Sequence, residues 1–144
     1  MSSTTTANAS RLIKLDQPIF CLCLIKDFLI VASGGGGKKF GVRNKIVSYK
    51  IINNSKISEM PSHWIEFEIG IPVFISSLDS FNLFSTCMDN VTVMFKFNTR
   101  DGTFDEVSRI VVSNYYDTDV YQSVCRFDNK GVYLGTGTTD GVLK

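Results

Sequence analysis

The segment Ser85-Thr86-Cys87-Met88-Asp89-Asn90-Val91 is matched 140 − 89 = 51 residues further on by Thr136-Gly137-Thr138-Thr139-Asp140-Gly141-Val142. Each copy follows one apolar run and precedes another, so the pair marks equivalent hairpins of a repeat. A repeat period of roughly 50 residues points to a propeller or a solenoid. Around these anchors the chain divides into short apolar runs bounded by Asp, Asn and Gly. The first set is Ile19–Ile25, Phe28–Ala32, Lys45–Ile52 and His63–Ile69; the second is Val73–Leu78, Asn82–Thr86, Val91–Phe97 and Glu106–Val112. A third set opens with Tyr121–Phe127 and Gly131–Leu134. Helical spacing is absent, and strand signals at this interval read as successive antiparallel meanders. Eleven Phe and five Tyr suit pleated, half-buried surfaces, where flat side chains pack well.

The expected fold is therefore all-β: a WD-repeat-like β-propeller, seen as an amino-terminal portion of roughly three four-stranded blades. Residues 1–10 read as a disordered tail, 11–70 as blade one, 71–113 as blade two and 114–144 as an incomplete blade three. Propellers close with about 4 to 8 blades, so truncation of a longer propeller is the expectation. Self-association is the alternative, because the outer faces of terminal blades would otherwise expose apolar area.

Charge excludes some partners. Fifteen Lys and Arg against fourteen Asp and Glu leave a net charge of +1, too little to gather nucleic acid or an anionic membrane. No uncharged apolar stretch reaches the roughly 18 residues of a spanning helix, and the tail has no secretory signal pattern, so the chain itself is expected to be soluble. Cys21, Cys23, Cys87 and Cys125 lack metal-ligand spacing. Cys21 and Cys23 share a strand face and are expected to be small buried hydrophobes.

Blade one carries an insertion. Between its second and third strands lies Gly34-Gly35-Gly36-Gly37-Lys38-Lys39-Phe40-Gly41-Val42-Arg43-Asn44, where blade two has only Asp89-Asn90. Successive glycines let a backbone fold tightly and approach another molecule closely. A phosphate-binding loop would need Gly at Ala32, a hydroxyl at Lys39 and a helix in place of the strand at Lys45–Ile52. A dinucleotide motif begun at Gly35 and Gly37 would need a glycine at Phe40.

The strand Leu29–Ala32 running into Gly34–Gly37, followed by Gly41-Val42-x-Asn44-Lys45-Ile46, resembles the endoplasmic-reticulum exchange factors for the GTPase that starts assembly of the coat protein complex II vesicle coat. The resemblance implies a seven-bladed propeller on the cytoplasmic face of the endoplasmic reticulum, followed in full-length members by one membrane-spanning helix. It implies a potassium ion held by the loop, with Gly35, Gly37, Gly41 and Asn44 as its ligand positions. It also implies that the loop from Gly34 to Asn44, Lys38 and Lys39 included, meets the small GTPase. Asn44 would contact the GTPase or fix the loop; as a bare sequence feature it is a hairpin turn residue. Lys38 and Lys39 would touch an acidic switch segment, or serve only solubility. Exchange of this kind involves no covalent catalysis. The alternative is a passive WD-repeat interaction scaffold.

Two further features read as structural. His63, the single histidine, stands beside Trp64 without a nucleophile elbow, and Asp117 and Asp119 read as a solvated turn.

Overall fold

The computed structural model describes residues 14–35, 41–52, 56–68, 70–112 and 120–144. Blade one contains β1 (Ile19–Ile25), β2 (Phe28–Ser33), β3 (Asn44–Ile52), β4 (Lys56–Ile57) and β5 (His63–Phe67). β1, β2 and β3 follow one another as antiparallel neighbours, β5 pairs with β3, and β4 adds a two-residue flap to the far end of β3. Blade two is the plain meander β6 (Phe74–Leu78), β7 (Leu83–Met88), β8 (Val91–Phe97) and β9 (Phe104–Val111). Blade three has β10 (Gln122–Phe127) paired with β11 (Leu134–Thr138), and Leu143 forms an isolated antiparallel bridge with Gly137.

β6 lies between β1 and β10. Ser77 Oγ donates to the Leu24 carbonyl at 3.4 Å on one side, and on the other Phe127 N–H donates to Ser76 Oγ at 3.2 Å. The chain is thus an all-β, propeller-like array of successive meanders.

Alternation decides which blade each residue faces. Phe28, Ile30 and Ala32 of β2 and Phe84 and Met88 of β7 belong to one core between blades one and two, together with Val93, Phe95 and Phe97 of β8. The rings interlock there: Phe84 stacks on Phe95 at 4.9 Å, while Phe28 meets Phe97 edge-on at 5.2 Å and Phe84 meets Phe104 edge-on at 5.2 Å. Such pairs add about 0.5–1.5 kcal/mol each beyond the area they bury.

The next junction is polar. Ser85, Thr92, Gln122 and Cys125 are fully buried between blades two and three, with Thr92 donating to Gln122 and Ser85 Oγ 3.4 Å from Cys125 Sγ. A bulge between Gln122 and Val124 turns Gln122 and Cys125 to the same face of β10.

Several boundaries differ from expectation. β11 occupies Leu134–Thr138 rather than Gly131–Leu134. Asp128 captures the Tyr133 N–H at 2.8 Å and the Lys130 N–H at 3.3 Å, and Gly131 takes φ +70°, so those residues turn before the strand begins. The repeat then holds at the strand starts as well, since 134 − 83 = 51. Asp79–Phe81 form a 3-10 turn that Asn82 ends in the left-handed region, so β7 starts at Leu83 and extends to Met88 instead of spanning Asn82–Thr86. β9 begins at Phe104, two residues before the expected Glu106. Cys21 and Cys23 are half-buried rather than buried, packed against the edge of the core.

Candidate functional site

The insertion in blade one leaves from Ser33 and returns at Asn44, whereas β7 and β8 are joined through Asp89 and Asn90 alone. The departing leg is tied to the segment before β1: Gly34 N–H donates to the Pro18 carbonyl at 3.2 Å, and Ser33 Oγ donates to Gln17 Oε1 at 3.4 Å. The returning leg is tied to β5, where Arg43 forms a 2.5 Å ion pair with Glu66. That bond holds the Arg43 guanidinium pKa above its ordinary value.

The legs close on each other through glycine. A Cβ on Gly34 would lie 2.3 Å from Asn44 Oδ1 and 2.9 Å from Asn44 Cα, and one on Gly35 would lie 2.8 Å from Val42 Cβ. Any side chain at Gly34 would push Asn44 out of its place. Asn44 is only 2% exposed, lodged under the base of the loop, while its backbone starts β3 and pairs with Phe67. Of the two roles open to Asn44 on sequence, this placement suits fixing the loop rather than meeting a partner.

Gly41 is exposed, with φ +74° and open space around it. A side chain there would meet no clash but would carry the strain of the left-handed region. Gly36, Gly37, Lys38 and Lys39 lie outside the described residues, as do Asp117, Asp119 and the tail of residues 1–10.

The donors that the described part of the loop can offer a cation are backbone carbonyls and the Asn44 amide oxygen. These are hard, uncharged ligands, suited to an alkali ion and unsuited to a transition metal. No cluster of His, Cys, Asp and Glu with metal-holding geometry occurs among the described residues.

Sequence reasoning overlooked Gln17 and Glu66, the two side chains that brace the loop from outside. Gln17 precedes β1 and Glu66 lies within β5, 23 residues from Arg43, so neither carries a local signal. The opposite charges of Arg43 and Glu66 were the one clue available.

His63 lies edge-on to Phe104 at 4.7 Å, and its backbone carbonyl accepts from Ser48 Oγ at 3.5 Å. It packs one blade against the next. Trp64 points to solvent, 54% exposed. Among the described residues no helix is long and apolar enough to cross a membrane.

No family model matches the chain, and no curated protein matches it in sequence. Among solved structures it is similar to a β-propeller-like protein from Lactobacillus plantarum, with a TM-score of 0.69 and 16% identity over 89% of this chain. The match takes in 40% of that protein, so this chain corresponds to less than half of its neighbour's length. At that identity the likeness concerns the fold alone.

Proposed function

We propose that the chain is the amino-terminal part of a WD-repeat-like exchange-factor propeller. In this reading its blade-one loop engages a small GTPase of the coat protein complex II pathway, at the cytoplasmic face of the endoplasmic reticulum, and speeds loss of GDP. The observation that carries it is the braced base of the loop. A glycine-rich excursion replaces a two-residue turn, and its legs are held by Gly34 against Asn44, Gly35 against Val42, and Arg43 on Glu66. A loop ordered in advance loses less entropy on docking, which favours affinity.

Exchange by such a loop is differential binding. A factor that binds the nucleotide-free GTPase more tightly than the loaded one must, by linkage, weaken GDP binding. The chain's residues supply shape and backbone groups, and no bond is made or broken. Gly35, Gly37, Gly41 and Asn44 are the positions that would hold a potassium ion, which would supply further ordering of the loop.

The test is release of labelled GDP from the pathway's GTPase, measured with this chain alone and with the chain extended to a closed propeller. The extended form accelerates release, the short chain does so weakly or not at all, and Asn44→Ala in the extended form lowers the effect about tenfold, equivalent to about 1.4 kcal/mol. No acceleration by the extended form leaves the passive scaffold as the reading.

A second proposal concerns association. Phe20, Leu22 and Leu24 on the outer face of β1 are 43%, 54% and 53% exposed, and a groove lined by Leu22, Leu29, Val31 and Tyr49 continues that face. Blade one covers the corresponding face of blade two, through Phe28 and Ile30 against Phe84 and Phe95. By the same packing, blade three of a second copy covers blade one, head to tail.

A further inference from the structure

The two junctions of the array differ in kind. Between blades one and two, the rings of Phe28, Phe84, Phe95, Phe97 and Phe104 interlock. Between blades two and three, hydroxyls and an amide meet instead. On the paired strands of blade three, Gln122 lies opposite Thr138 and Cys125 opposite Thr136, and residues directly opposite share a face. Gln122 accepts from Thr92 of β8, and Cys125 Sγ lies 3.4 Å from Ser85 Oγ of β7. Gln122, Cys125, Thr136 and Thr138 therefore all face blade two.

Two polar atoms in this layer are not satisfied by the protein. The Thr138 hydroxyl donates to Asp140 Oδ1 within its own blade, but Gln122 Nε2 and Thr136 Oγ1 have no hydrogen-bond partner among the described residues. Gln122 is 0% and Thr136 5% exposed, so neither reaches bulk solvent. Turning the Gln122 amide over would exchange which of its atoms is left alone without removing the deficit. A buried polar group without a partner costs more than a typical internal hydrogen bond contributes. Folded proteins meet such groups with internal water, which makes about three hydrogen bonds. Water also fits the charge of the layer. No charged side chain is buried among the described residues, so an ion here would lack a counter-charge.

We propose that internal water is bound between blades two and three, on the Gln122 amide and the Thr136 hydroxyl, and that this hydrated layer is the plane along which blade three parts from blade two. Parting an aromatic layer exposes apolar area to solvent, whereas parting a layer that already holds water exposes little. Blade three also has less to hold it, with two paired strands and one isolated bridge against four strands in blade two. Local opening follows the lowest cost. Blades one and two thus behave as one body, against which blade three adjusts.

Oxygen-17 relaxation dispersion of the solvent, measured on the whole chain, detects water held longer than the protein takes to tumble. The expected result is a long-lived water that is lost in the variant combining Thr92→Val, Gln122→Met and Thr136→Val, which replaces the polar layer with apolar side chains of similar volume. In the wild type, amides of Gln122–Thr138 are expected to exchange roughly tenfold or more faster than those of Leu83–Met88, and in the variant to slow by about tenfold. No long-lived water, or one that survives in the variant, overturns the site. Blade three exchanging no faster than blade two, or no slower in the variant, overturns the parting plane. Should the triple variant fail to fold, Thr136→Val alone decides. Removing a water-bound hydroxyl lowers the urea midpoint, as expected here; removing a dry, unpartnered one leaves it unchanged or raises it, and either of those outcomes refutes the proposal.

Discussion

A methyl group on Gly102 would lie 2.4 Å from Phe28 Cε1 and 2.8 Å from Ser62 Cβ. Gly102 also takes φ +81°, and its carbonyl accepts a 2.6 Å hydrogen bond from the buried Ser48 hydroxyl. It is the point where the β8–β9 turn is pressed against blade one. Gly102→Ala is expected to cost about 2–4 kcal/mol, from overpacking plus left-handed strain, seen as a lower urea midpoint; an unchanged midpoint would show that the blades part easily there. Asn44 is a different case, a buried amide whose loss leaves its surroundings short of a polar partner. Asn44→Ala is expected to destabilise the chain by about 1–3 kcal/mol and to raise proteolysis within 36–40 far more than elsewhere. Glycine at 34 was legible in the sequence as a tight-turn residue. That it makes room for Asn44 was not, because the two are ten residues apart and meet only once β2 and β3 pair.

At the scale of the element, turns organised by carboxylates set where strands start. Asp101 accepts from Thr103 N–H at 3.0 Å and from its hydroxyl at 2.8 Å, and Asp128 accepts from Tyr133 N–H at 2.8 Å. These bonds hold both carboxyls below their ordinary range, and the Arg109 guanidinium does the same for Glu106. Groups whose folded pKa is depressed contribute stability above their unfolded values, near 4, and lose it as pH falls through the folded ones. The urea midpoint is therefore expected to be level between about pH 5.5 and 7 and to decline below about pH 4, with a shallower decline in Asp128→Asn. A midpoint indifferent to acid would refute this. The aromatic layer gives the larger single effect: Phe84→Ala, which removes a ring touching Phe95, Phe97 and Phe104, is expected to cost about 3–5 kcal/mol. Alternation made Phe95 and Phe97 readable as one buried face. The start of β11 was not readable, because the capture of the Tyr133 N–H by Asp128 spans five residues and competes with a run that looks like strand.

For the whole molecule, the exposed rows on β1 and at Val124, Tyr133 and Leu143 set the expected behaviour in solution. Light scattering should give a mass above that of one chain, rising with concentration, and Leu22→Asp with Leu24→Asp should return it to the single-chain value. A single-chain mass at all concentrations would remove the head-to-tail proposal.

The repeat and the order of most strands were legible in the sequence, because a two-residue alternation and turn residues are local properties, written within a few positions of where they act. The sequence by itself also determined that blade one carries a glycine-rich loop of unusual length. Tertiary structure alone decided that Asn44 is buried beneath Gly34, that Arg43 and Glu66 brace the returning leg, and that Ser85 meets Cys125. Each of those depends on which strands pair and which blade lies beside which, and distance along the chain says nothing of either.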